Sequence, residues 1–241
     1  MLTQLLFGEH FKILHEKGEW YFIRNSQDGY ESWVNKKQVE QISEQIFKKL
    51  DNYSPIYTND LVQVITDTSD KSVFPVTIGS TLPFYKKPEC AIGSKKYIYE
   101  GQVIHPSKPD KKLIVKTAFL FLHSPYLWGG RTPFGIDCSG FTQAVYKLNG
   151  IKLRRDSHQQ AEQGTALSFI EEAEPGDLAF FDNDEGKIVH VGIVLKDNKI
   201  IHASGQVRID KLDHNGIFNA QANEYTHRLR IIKSVERNYP D

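Results

Sequence analysis

Apolar and polar positions change period along this chain, and the change divides it. From the N-terminus to about Ile42 the pattern alternates with a period of two, as in Phe11-Lys12-Ile13-Leu14 and Trp20-Tyr21-Phe22-Ile23-Arg24. Lys17-Gly18-Glu19 and Asn25-Ser26-Gln27-Asp28-Gly29 read as the turns between such strands, and short strands at this spacing predict a small barrel. Residues 36–50 have few breakers and read as a helix or linker. A second β-rich stretch runs from Tyr53 to Pro109. It has strands expected at Val62–Thr66, Val73–Val76 and Tyr97–Gly101, punctuated by Gly79, Pro83, Pro88, Gly93 and Gly101. His105–Asp110 has the composition of a boundary loop.

Beyond it the period shifts to that of a helix. Leu113–His123 predicts one helix, stopped by Pro125. A second starts at Asp137, with Phe141, Ala144, Val145 and Leu148 on one face and a stop at Asn149-Gly150. Ser157–Gln163 predicts a short third helix, closed by Gly164. Strands then follow at Asp177–Phe181, His190–Leu195, Lys199–Ala203 and Arg230–Ile232. Helices followed by an antiparallel sheet predict an α+β domain. The expected division is residues 1–45, 46–112 and 113–241.

Composition removes several function classes. The 30 basic and 30 acidic side chains of the 241 residues cancel, so the excess positive charge that nucleic-acid binding draws on is missing. No apolar run approaches the ~20 residues that span a bilayer. Met1-Leu2-Thr3-Gln4-Leu5-Leu6-Phe7 lacks a basic leader region, so a cytoplasmic protein is expected, or an exported one whose leader preceded Met1. The two cysteines, Cys90 and Cys138, are too few for a disulfide scaffold, and both are expected free, with Cys90 structural.

Candidate chemistry concentrates at Asp137-Cys138-Ser139-Gly140. Asp137 suits a helix N-cap, which places Cys138 in the first turn, where unpaired N–H groups and the helix dipole favour a thiolate and an oxyanion. Gly140 lets another backbone approach. A cysteine nucleophile needs a proton acceptor that later protonates the leaving amine. His190 and His202 lie on apolar strand runs joined at Lys196-Asp197-Asn198-Lys199, so paired strands bring them side by side. His190 is assigned as the base and His202 as the group that orients it. A zinc site built from Cys138, His190 and His202 is the competing reading, but no metal-type spacing supports it. No metal or cofactor is expected. The other seven histidines fall in loops or polar surroundings, and Trp20, Trp33 and Trp128 are expected to pack.

Six blocks now carry a resemblance: Tyr126-Leu127-Trp128-Gly129-Gly130, Asp137-Cys138-Ser139-Gly140-Phe141, Arg155-Asp156-Ser157-His158-Gln159-Gln160, Pro175-Gly176-Asp177-Leu178, His190-Val191-Gly192-Ile193 and His202-Ala203-Ser204. In this order they resemble the NlpC-type cell-wall cysteine peptidases, which are papain-like enzymes acting on peptidoglycan peptides. Gln4–Glu9 and Asp28–Val34 resemble a bacterial SH3 domain, and residues 53–110 a second, weaker one. Two such domains ahead of the peptidase are similar to γ-D-glutamyl-L-diamino acid endopeptidases. That resemblance implies cleavage between D-Glu and a diamino acid, diaminopimelate or Lys, in murein stem peptides with a free N-terminal L-Ala, in peptide recycling by a monomer. It implies that Glu9, Tyr30, Tyr126 and Asp137 bind the ammonium and that Ser139, Arg155 and Ser157 line the D-Glu pocket. A buried ammonium must meet carboxylates and hydroxyls, because an unpaired buried charge costs several kcal/mol. The competing readings are another amidase or acyltransferase reaction at the same Cys-His site, and a non-catalytic murein-binding module.

Overall fold

The computed structural model describes residues 1–106 and 108–235; Ser107, inside the expected boundary loop, and residues 236–241 lie outside the described residues. The chain divides into two compact units, Leu2–Pro106 and one beginning at Ser107.

In the first unit β1 (Phe11–Lys17), β2 (Trp20–Asn25) and β3 (Glu31–Asn35) form an antiparallel sheet in that order. Gly18 and Gly29 turn the chain at φ 55° and 73°, where a Cβ would be strained. A 3-10 turn at Lys36–Gln38 and α1 (Glu44–Asp51) fill the segment expected to be helical or linking. Ser43 caps α1 by accepting the Ile46 N–H at 3.3 Å. Next come β4 (Tyr57–Thr58), β5 (Val62–Asp67), β6 (Val73–Thr77), β7 (Glu89–Ile92), β8 (Lys95–Ile98) and β9 (Val103–Ile104). β4 pairs with β9, and the other four strands form a sheet in the order β6-β5-β8-β7. Pro75 sits in β6, an edge strand, where its missing N–H interrupts no inner ladder. β7 has no counterpart in the sequence pattern, because Pro88 and Gly93 bracket it closely. Ile65, Val76, Leu82, Cys90, Tyr97 and Tyr99 pack as a core, and Phe7 joins it edge-on to Tyr97 at 5.3 Å. Trp20 and Trp128 do not pack as expected, being 48% and 67% exposed, whereas Trp33, 46% exposed, keeps ring contacts with Phe22 at 5.2 Å and His15 at 6.3 Å.

The second unit opens with α2 (Lys111–Phe119), whose cap Asp110 accepts the Lys112 N–H at 2.8 Å. This helix ends short of His123, which turns the chain at φ 69°. A hairpin of β10 (Arg131–Thr132) and β11 (Gly135–Ile136) leads into α3 (Cys138–Leu148) and the short α4 (Ser157–Gln160). Then follow β12 (Thr165–Leu167), β13 (Leu178–Asp182), β14 (Ile188–Leu195), β15 (Lys199–Ser204), β16 (Gln206–Asp213), β17 (Gly216–Asn219) and β18 (Glu224–Ser234). The antiparallel order is β12-β18-β13-β14-β15-β16-β17, and β17 pairs back onto β18, so β13 to β18 close into a barrel. Its interior holds Ala179, Phe181, Val194, Ile200, Leu212, Ile217 and Ile232, with every barrel strand contributing. Val191, Ile193, Ile201 and Ala203 point the other way and are also buried, where α3 packs across β14 and β15. The barrel supplies one half of the site described next and the start of α3 the other.

Candidate active site

The sequence dictates the start of α3 through Asp137. Its side chain accepts the Gly140 N–H at 2.7 Å, which caps the helix, and it accepts the Gly129 N–H at 2.8 Å. Arg155 closes on the same carboxylate as a fork, Nη1 to Oδ1 at 3.0 Å and Nη2 to Oδ2 at 2.6 Å. Arg155 Nη1 also donates to Ser139 Oγ at 2.8 Å. Both charges are buried, so each depends on the other. Gly140 is needed because a Cβ there would drive into the Gly130 carbonyl. Gln160, on α4, donates to the Ser139 carbonyl at 3.0 Å and accepts from Thr142 Oγ1 at 2.7 Å, tying α4 to the helix start. Ser157 is buried at the first position of α4.

Cys138 is the first residue of α3, free and buried. Its sulfur accepts backbone N–H groups of Val191 and Ser139, so it meets β14 one residue after His190. The helix start is not the only influence on the sulfur. Burial pushes the thiol up to about 12, with the Asp137 charge acting in the same direction and the two N–H groups and Arg155 opposing. Burial and the nearby charges of Cys138 and Asp137 also push the Tyr126 phenol up to about 12, which sets Tyr126 beside this cluster.

The base stands on the barrel. His190 Nε2 lies 2.8 Å from His202 Nδ1, and His202 Nε2 lies 3.0 Å from Asp210 Oδ2. Asp210 is held in turn by Arg208, whose Nε is 2.7 Å from Oδ2 and whose Nη2 donates to Oδ1 at 2.9 Å. Strand register explains the alignment. Gly192 lies opposite His202, and a Cβ on it would meet the His202 Cβ at 2.8 Å, so only glycine leaves the imidazole its place. Asp197 and Asn198, at φ 58° and 51°, turn β14 back into β15. Burial pushes His190 well below its ordinary value, and the neighbouring His202 and His227 act in the same direction. Burial also lowers His202, against an opposing pull from Asp210. Because two ring nitrogens are spent on each other, His190 and His202 do not offer a joint metal site. Among the described residues no group of three His, Cys, Asp or Glu side chains is placed to hold a metal.

Sequence reasoning missed Asp210 and His227. The signal for Asp210 is the alternation Val207-Arg208-Ile209-Asp210, which sends two charged residues to one face of a buried strand. His227 departs from the bland reading of the remaining histidines. Its ring stacks on that of His190 with centroids 4.1 Å apart and planes at 28°. Its signal is the phase it shares with Leu229, opposite Arg228 and Arg230. His227 also borders a cavity of about 720 Å³ lined by Asp182, Asp184, Asn215 and Tyr225.

In the first unit Glu9 and Tyr30 meet at Asn25. The Asn25 amide lies 3.5 Å from Glu9 Oε2, and its backbone N–H donates to the Tyr30 carbonyl at 3.0 Å. Glu9 also accepts the Leu6 N–H at 3.1 Å.

Comparison with known proteins fits this geometry. Residues 123–225 match the model of the NlpC/P60 family, and residues 1–39 match that of the bacterial dipeptidyl-peptidase SH3 domain. A gamma-D-glutamyl-L-lysine dipeptidyl-peptidase of Bacillus subtilis is 29% identical over 223 residues, covering 83% of this chain and 71% of that protein. Dipeptidyl-peptidase 6 of Lysinibacillus sphaericus is 25% identical over 240 residues, covering 88% and 84%. A crystal structure of an NlpC/P60 family protein from Bacillus cereus superposes with TM-score 0.81 at 24% identity, over 98% of this chain and 82% of that one, which shows the shared fold.

Proposed function

We propose that this chain, an NlpC/P60 cysteine peptidase carrying an N-terminal bacterial SH3 domain, cleaves the γ-D-Glu–diamino acid bond of murein stem peptides that have a free N-terminal L-Ala. The observation that carries the reading is the pairing of a buried thiol at a helix start with a His190–His202 relay on the adjoining strand. Cys138 attacks the γ-carbonyl of D-Glu as its proton passes to His190. The N–H groups around the sulfur stabilise the oxyanion. His190 then protonates the departing amine of the diamino acid, leaving a thioester between Sγ and the acyl dipeptide. Water, deprotonated by His190, hydrolyses it.

The choice of bond follows the two dipeptidyl-peptidase relatives, named for a γ-D-glutamyl-L-lysine peptide in one case. Ser139, Arg155 and Ser157 are read as the wall of the D-Glu pocket, with Arg155 supplying the charge that a D-Glu carboxylate requires. The demand for a free amine is read from Glu9 and Tyr30, with Tyr126 and Asp137. We read residues 46–112 as a second SH3-like module with its linker, and the role as recycling of released peptides in the cytoplasm.

The test compares L-Ala-γ-D-Glu-diaminopimelate, its Lys analogue and their N-acetylated forms, with product masses as the readout. Cleavage of the free peptides, loss with the acetylated ones and loss in Glu9→Gln are expected. Equal cleavage of free and acetylated peptide would refute amine recognition, and turnover by Cys138→Ala would refute the mechanism.

A further inference from the structure

We propose that Asp210 is a positioning residue that sets the proton on both histidines, so that Nδ1 of His190 is the nitrogen that receives the thiol proton; this rests on the reading of His190 as base. Asp210 is paired with Arg208 at 2.7 Å and 2.9 Å, so it is ionised and only accepts. His202 Nε2, 3.0 Å from Asp210 Oδ2, must therefore carry the hydrogen. In a neutral imidazole the other nitrogen is then a bare acceptor. That nitrogen, Nδ1, is the one 2.8 Å from His190 Nε2. His190 Nε2 must donate, and its Nδ1 keeps the lone pair. Three consecutive strands, β14, β15 and β16, thus hand one polarity from a salt bridge to the catalytic base. Without an obligate acceptor at the end the chain of bonds runs equally well in reverse, with His190 Nδ1 protonated and useless as a base.

The barrel is built to keep the chain intact. His190, His202 and Asp210 share the face that carries Val194, Ile200 and Leu212 in the barrel core. His227 joins them through a β-bulge. Phe180 pairs with Ile231 but Phe181 pairs with Leu229, so Arg230 is an extra residue. Counted from Ile232, regular alternation would carry Arg230 and Arg228 inward, and the bulge carries Leu229 and His227 instead. A neutral ring, not a cation, therefore lies against His190. The charged or titratable groups facing the relay are His202 on β15, Arg208 and Asp210 on β16 and His227 on β18.

Histidine nitrogen–proton correlation spectra of the ¹⁵N-labelled protein read the tautomers without any substrate. The expected result is Nε2–H on both His190 and His202; an Nδ1–H tautomer at His190 overturns the inference. Asp210→Ala is expected to lower kcat about a hundredfold, with KM nearly unchanged, and to populate the reversed tautomer at His190. Asp210→Asn, which keeps an oxygen for His202, is expected to retain more activity than Asp210→Ala, and it serves as the folded comparison if the alanine variant melts early. Wild-type kcat and tautomers in Asp210→Ala overturn the role of Asp210. Turnover by His190→Ala, by contrast, overturns the assignment of the base and is read separately from the tautomer spectra.

Discussion

The two flanks of Cys138 are both buried and both polar, yet they are built from opposite materials. On the helix side Asp137 and Arg155 are locked in a buried bidentate ion pair, with Ser139 and two backbone N–H groups attached. On the barrel side three imidazoles are held neutral by burial, and the nearest charges, Asp210 and Arg208, stand one ring further out. The difference follows from the work each flank does. A fixed ion pair holds the helix start in one geometry. A group that takes and returns a proton must be able to change charge, which is easiest when its neighbours carry none.

The sharpest way to break the comparison is to remove the groups that exchange the proton. Cys138→Ala or His190→Ala is expected to lower kcat by about 10⁴-fold or more while the melting temperature stays close to wild type. Next in size is the charged flank. Arg155→Met strands the Asp137 carboxylate in the interior and is expected to cost about 3–5 kcal/mol in urea unfolding. A cost below about 1 kcal/mol would show that the pair is not buried in solution. Gly192→Ala puts a Cβ against His202; about 1–3 kcal/mol of overpacking is expected, with a larger fractional loss in kcat than in stability.

The smallest effect is a pH dependence at the neutral flank. His227 is lowered from 6.5 to about 4, by burial first and by His202 second. Its folded value lies below its unfolded one, so on acidification the unfolded chain takes up the proton first. Stability is therefore complete above pH 6.5 and declines as the pH falls towards about 4. The melting temperature of His227→Phe should decline less over that window than that of wild type. Parallel curves would show that His227 is not buried neutral.

Much of this site is legible in the sequence because local rules fix it. Asp137 declares a cap, Cys138 follows from it, and the strand periods of His190 and His202 place them on neighbouring ribbons. What is not legible depends on closure. Asp210 sits on β16, whose partner is fixed by the barrel, and His227 reaches His190 only because β18 pairs with β13 across 46 positions, as Asp182 with Arg228 does. The bulge at Arg230 is a register choice made by that pairing and not by its own residues. The surroundings of the thiol divide in the same way: the helix start is a local feature, but the contact with the Val191 N–H comes from β14, 53 positions away in the chain.

The central claim is that Cys138 forms the acyl intermediate, and the most direct measurement is to trap it. The enzyme is mixed with L-Ala-γ-D-Glu-Lys, quenched in acid within the first turnover, digested and mapped by mass spectrometry. The account predicts the mass of an L-Ala-D-Glu acyl group on the peptide containing Cys138, absent from Cys138→Ala. An acyl group on another residue, or undiminished product from Cys138→Ala, would contradict it.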